Sequence, residues 1–171
     1  MRGAWPLPAI DISHKRLHEG CLFTGTKLFS GAGQIGNGSS VNFLIKVGAS
    51  YRPHFIVALA AGGNFTTQFF EAPTVSANGT PVDLFNRLRS SSNTSETTVY
   101  YAPTVTDDGD ALQTSLLPGG RVAQAVGGQD GGFDLEMVLE KSTDYIFRAT
   151  NIAGQSMPAN VAVHFYENRG A

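Results

Sequence analysis

Residues 133–140 read Phe-Asp-Leu-Glu-Met-Val-Leu-Glu. Phe133, Leu135, Met137 and Leu139 fall on one side of an extended chain; Asp134, Glu136 and Glu140 fall on the other, where Val138 is the only apolar residue. Alternation at period two, with one apolar and one charged face, marks a strand half-buried in an antiparallel sheet. The same period runs outward from this segment. VNFLIKV (41–47) turns Val41, Phe43, Ile45 and Val47 inward, and VAVHFYE (161–167) does so with Val161, Val163 and Phe165. HFIVALA (54–60), FTTQFFE (65–71), TTVYYAP (97–103) and DYIFRATNI (144–152) are rich in β-branched and aromatic residues and bounded by Gly, Pro, Asn or Ser. CLFTGTKLF (21–29) supplies a first strand. About eight short strands with no long helical period predict an all-β chain, an antiparallel β-sandwich or jelly roll. The expected organisation is an extended N-terminal arm (1–20), the sandwich (21–168) and a short tail (169–171). VDLFNRLRS (82–90) is expected to form one or two helical turns.

Composition supports this reading. Of 171 residues, 42% are hydrophobic and only 15% charged, against roughly 25% charged in ordinary globular chains. Twenty Gly and eight Pro supply turns without the period of three of collagen, and no heptad is present. A net charge of −2 without runs of one sign gives no surface for neutralising many phosphates, so no nucleic-acid partner is expected. The single Cys21 rules out an internal cystine scaffold and is expected to be a small buried hydrophobe. Pro6 and Pro8 interrupt the first apolar run and no stretch approaches 18 apolar residues, so no signal peptide or membrane span is expected.

An internal repeat stands out. Ala72-Pro73-Thr74-Val75-Ser76 with Gly79 recurs as Ala102-Pro103-Thr104-Val105-Thr106 with Gly109. Each copy follows an aromatic-rich strand, so each Pro is expected to end a strand and each Gly to supply a positive φ in the turn beyond, at corresponding corners of the sandwich. Residues 1–20 follow neither period and interleave Trp5, Leu7, Ile10, Ile12 and Leu17 with Arg2, His14, Lys15, Arg16 and His18, which reads as an arm tied down by a partner or by its own domain.

Most candidate chemistry fails on context. Gly31-Ala-Gly33-Gln-Ile-Gly36 matches a dinucleotide fingerprint, but Asn37-Gly38-Ser39-Ser40 and another strand follow where a helix is required, so a glycine-rich hairpin connection is expected. His14 and His18 have the spacing of a helical metal pair, but Lys15 stands where a zinc protease carries its Glu, and no helix is expected there. His54 and His164 lie on strands and could join Asp or Glu from neighbours. Asp107-Asp108-Gly109-Asp110 lacks the later Glu of a calcium loop and reads as a tight acidic turn. No Gly-x-Ser-x-Gly elbow occurs. Glu136 and Glu140 on one strand face stand roughly 13 Å apart, too wide for a glycosidase pair. Asn37, Asn64, Asn78 and Asn93 open Asn-x-Ser/Thr strings that mark surface loops. No catalytic residue, cofactor or metal is expected.

The order of motifs resembles a family of tailed-bacteriophage head decoration, or cement, proteins. The resemblance rests on His14-x3-His18-Glu19-Gly20, VNFLIKV, Arg52-Pro53-His54, Glu71-Ala72-Pro73-Thr74 with Gly79-Thr80, Asn86-Arg87, Pro103-Thr104-Val105 with Gly109, FDLEMVLE, Thr143-Asp144-Tyr145-Ile146 and Val163-His164-Phe165-Tyr166-Glu167. It implies a jelly-roll subunit, made in the host cytoplasm, that assembles as a homodimer or homotrimer on the outer capsid surface of the virion. Its partner there would be the major capsid protein, whose neighbouring subunits it clamps, with no nucleic acid or membrane involved. The resemblance brings no catalytic residues. Capsid or inter-subunit contact is expected from Trp5, Leu7, Ile10, Ile12, Lys15, Arg16 and Leu17. The alternative expectation is a carbohydrate- or receptor-binding module of a tail fibre, with Tyr51, Tyr100, Tyr101 and Tyr166 stacking on sugar rings; an enzyme acting on glycans is the third.

Overall fold

The computed structural model describes residues 12–119 and 136–168. Helix α1 (Ile12–His18) leads into β1 (Leu22–Phe29), β2 (Ser40–Lys46), β3 (Pro53–Ala61), β4 (Phe65–Glu71), β5 (Thr74–Ala77), β6 (Thr80–Pro81) and β7 (Phe85–Asn86). Then come β8 (Thr98–Tyr101), β9 (Thr104–Asp107), β10 (Asp110–Leu117), β11 (Met137–Val138), β12 (Asp144–Asn151) and β13 (Ala159–Glu167). Two antiparallel sheets, ordered β11-β3-β13-β1-β7 and β10-β4-β12-β2-β8-β6, face each other, and β5-β9 makes a third, two-stranded sheet. The chain is the expected antiparallel β-sandwich; seven of the strands read from periodicity are present, and of the eighth, 133–140, only Met137–Val138 is strand, with 133–135 outside the described residues.

Seven phenylalanines, each at most 1% exposed, dominate the core. Register explains why six of them meet: Phe55, Phe165 and Phe23 pair across β3, β13 and β1, while Phe69, Phe147 and Phe43 pair across β4, β12 and β2. Each sheet thus turns one cross-strand row of three rings inward. Phe165 stacks on Phe55 at 5.1 Å and on Phe23 at 5.6 Å between ring centroids. Burying each ring contributes about 1.5–3 kcal/mol, and aromatic pairing adds to that. At the end of β13 the fully buried Glu167 accepts the backbone N–H groups of Glu96 (2.9 Å) and Thr97 (2.8 Å), with the Ser95 hydroxyl at 2.8 Å, so its charge is satisfied.

The repeat at residues 72 and 102 does more than turn corners. Its two Thr-Val segments are β5 and β9, paired Thr74 to Asp107, Val75 to Val105 and Ala77 to Thr104. Adding thirty residues to the first copy maps this register onto itself, so a local two-fold axis passes through the Val75/Val105 pair. The relation extends into the sheet beneath. Thr80 pairs with Tyr101 as Asp110 pairs with Glu71. The Ala72 amide donates to Asp144 O and the Ala102 amide to Asn42 O, both at 2.9 Å. Val75 and Val105 cover Leu44, Phe70, Ile146 and Tyr100, a small second core on the outer face of the six-stranded sheet.

Three expectations are corrected. The segment 82–90 is not helical: Asn86 Oδ1 accepts the Leu88 amide locally, while Asn86 Nδ2 donates to Asn93 O and, across the fold, to Gly20 O, bonds that take the place of a helical turn. The glycine-rich run at 31–36 is no hairpin, because it carries the chain from β1 in one sheet to β2 in the other. Residues 12–18, read as extended arm, are the helix α1, closed at Gly20 (φ +67) by bonds from Cys21 N to Arg16 O and from Gly20 N to Leu17 O, both 3.1 Å.

Candidate functional site

Pairing places the outward residues of the five-stranded sheet in rows that cross the strands. One row runs Phe85, Thr24, His164, Ile56. The next runs Arg87, Leu22, Tyr166, His54, Val138, with Arg87 N donating to Leu22 O. Helix α1 lies along one side and brings His14 and Leu17. Together with Glu136, which precedes β11, these residues line a groove of about 440 Å³, within the size range of small-molecule sites. A second cleft of about 310 Å³, between 81–86 and 93–100, has Asp83 as its only carboxylate and no histidine.

Two imidazoles of the groove are held through Nδ1 by neighbouring side chains. The Thr24 hydroxyl lies 3.2 Å from Val163 O and 2.9 Å from His164 Nδ1; with its single hydrogen turned to Val163 O it accepts from His164 Nδ1–H. His54 Nδ1 lies 2.6 Å from Glu136 Oε1, and a carboxylate only accepts, so Nδ1 carries the hydrogen there too. Tyr166 stacks on His54 at 4.4 Å and 15°, with its hydroxyl 2.8 Å from the same Nδ1. Wherever Nδ1 carries the only ring hydrogen, Nε2 is the lone-pair nitrogen. Burial, with the charge of Arg87, holds the His164 imidazole below the usual histidine range. Arg87 is exposed and forms no ion pair among the described residues.

His14 and His18 share one face of α1, with Nε2 atoms 3.2 Å apart. Among the described residues, however, no group of three or more His, Cys, Asp and Glu side chains is spaced to hold a metal. Of the residues expected to contact a capsid, Trp5, Leu7 and Ile10 lie outside the described residues, and Ile12 opens α1. Arg16 is committed to its own domain through Glu19 (2.7 Å) and Asn168 (2.6 Å), and Leu17 faces the groove. Lys15, 64% exposed, reaches Glu19 at 3.6 Å. The four tyrosines make no common platform. Tyr100 is under β5-β9, Tyr101 takes the Lys27 ammonium 4.0 Å from its ring centroid, Tyr166 is stacked on His54, and Tyr51 precedes β3.

Other residues behave as read. Cys21 is buried, Gly109 N bonds Asp107 Oδ1 (2.8 Å) in the acidic turn, and Asn37, Asn64 and Asn78 are exposed. Asn93 is not a free surface residue, since its Nδ2 donates to Gly20 O at 3.1 Å. Glu136 and Glu140 pair separately with His54 and Arg52. No helix among the described residues is long and apolar enough to cross a membrane.

No protein-family model matches the chain, and no curated protein sequence matches it.

Proposed function

We propose that this chain is a structural subunit that decorates the outside of a tailed-phage capsid, docking on major capsid subunits through the outer face of its five-stranded sheet. One observation carries the reading: the two outer faces of the sandwich differ in kind. Beyond the groove, the five-stranded face continues in two rows, Ala58, Ala162, Thr26 and Ala60, Asn160, Leu28. None of these residues is charged, the side chains are mostly small, and Leu28 is 63% exposed. An uncharged stretch of sheet with small side chains and an exposed apolar one favours apposition of another protein. The opposite face is covered in part by β5-β9, and beyond that it presents the polar rows Gln68, Arg148, Asn42 and Thr66, Thr150, Ser40.

The motif order that resembles decoration proteins supplies the kind of partner. Assembly as a homodimer or homotrimer belongs to the same proposal, since a symmetric oligomer gives a clamp more than one foothold. The test is the copy number and position of the chain in purified particles. Density on the outer shell, in numbers comparable with the major capsid subunit, supports decoration. A few copies at the tail would point instead to an appendage, and absence from the particle overturns both.

A further inference from the structure

We infer that the groove between α1 and the five-stranded sheet is a binding site for an anionic sugar of the uronic-acid type, its carboxylate on Arg87 and its hydroxyls donating to the Nε2 atoms of His164 and His54. The argument starts from what each wall lacks. Arg87 lines the groove with a guanidinium that no carboxylate among the described residues neutralises, and a planar fork of this kind takes a carboxylate through two parallel bonds. His54 spends Nδ1–H on the Glu136 carboxylate, and His164 does the same on Thr24 when that hydroxyl is turned to Val163 O; in this tautomer pair the neutral rings offer Nε2 acceptors. A ligand completing this set carries one anionic group and at least two O–H donors.

The remaining lining is apolar: Leu17, Leu22 and Ile56 give the C–H face of a pyranose a surface to rest on. The position of the charges sets an orientation. Register puts Arg87 beside β7, His54 three strands away on β3 and Glu136 beyond it ahead of β11, so the carboxylate is drawn to one end and repelled from the other. A neutral sugar lacks the Arg87 contact, and a bare anion lacks the hydroxyls.

The full chain titrated with D-glucuronate, D-glucose and inorganic phosphate tests this, followed by the histidine ring resonances. Glucuronate is expected to shift His164 and His54 together and to bind roughly tenfold or more tightly than glucose, the range for one charge-assisted contact. Arg87→Gln should erase that difference and Arg87→Lys should restore part of it; Arg87 is exposed, so both variants keep the fold. Equal affinity for glucose, indifference to Arg87→Gln, or unshifted histidines overturns the assignment. Phosphate binding as tightly as glucuronate would show a site that reads charge alone, which also overturns it. Capsid occupancy is read separately, as copy number per particle, so failure of the sugar titration is distinguishable from failure of the docking proposal.

Discussion

Gly109 rests on the main chain of Ala72: a Cβ at Gly109 would lie 2.8 Å from the Ala72 carbonyl. Gly79 stands in the same relation to Ala102, at 2.7 Å, and both glycines have positive φ, +76 and +86. The alanines they touch are themselves at φ 53 and 55, where L-residues are strained. Substitutions at these four positions should therefore have opposite signs. Gly79→Ala and Gly109→Ala meet backbone that cannot yield, and should each cost about 2–4 kcal/mol. Ala72→Gly and Ala102→Gly relieve left-handed strain, and should be neutral or gain up to about 1 kcal/mol. Urea unfolding of the four variants checks the signs.

Glu167 gives a second prediction. Glu167→Ala leaves the Glu96 and Thr97 amides without their acceptor in a buried setting, at a cost of roughly 3 kcal/mol or more; Glu167→Gln keeps one oxygen and should lose about half of that. Amide exchange at residues 96 and 97 should rise in both variants ahead of the rest of the sandwich.

Stability should fall with pH in two windows. His164 has a folded pKa below its ordinary 6.5, so its share is complete above that value and declines as pH drops through it toward the folded pKa. The Arg148 guanidinium, hydrogen-bonded to both Asp108 oxygens, holds that carboxyl below its ordinary 3.8. Its share is present above 3.8 and lost as pH falls through the folded value. His164→Gln should flatten the first window and Asp108→Asn the second in a pH series of denaturation midpoints.

Docking through the five-stranded face predicts that Ala162→Arg, a long charged side chain set between Ala58 and Thr26, leaves circular dichroism and melting close to the parent. The copy number bound per particle should fall by about tenfold or more, as expected when an unpaired charge enters a contact. Unchanged occupancy would exclude this face.

The long strands were legible because their inward residues are buried at strict period two, as in Phe55, Val57 and Leu59. Strand β10 was not, because a register shift between Ala111 and Gln113 breaks the alternation and leaves Leu112 and Leu116 exposed. Strands β5 and β9 were read only as corners, since four-residue strands with mostly exposed side chains carry no apolar period. Helix α1 had its stop signal in Gly20 behind Lys15, Arg16 and His18, but too few apolar residues to show a helical face. Of the groove, the sequence showed only that His54 and His164 lie on strands where carboxylates could join them, as Glu136 joins His54. His14, His54, Arg87, Glu136 and His164 are scattered along the chain, and only the order β11-β3-β13-β1-β7 sets them side by side.

The local two-fold axis has a consequence for anything that approaches the six-stranded face. Through Val75/Val105 and the strands beneath, one chain offers the same backbone frame twice, half a turn apart. A visitor that reads main chain alone finds two equivalent poses. What tells them apart are the side chains that break the symmetry, among them Ala77 against Asp107, Asn78 against Asp108, Lys46 against Arg148, and the Arg148–Asp108 ion pair that only one half possesses.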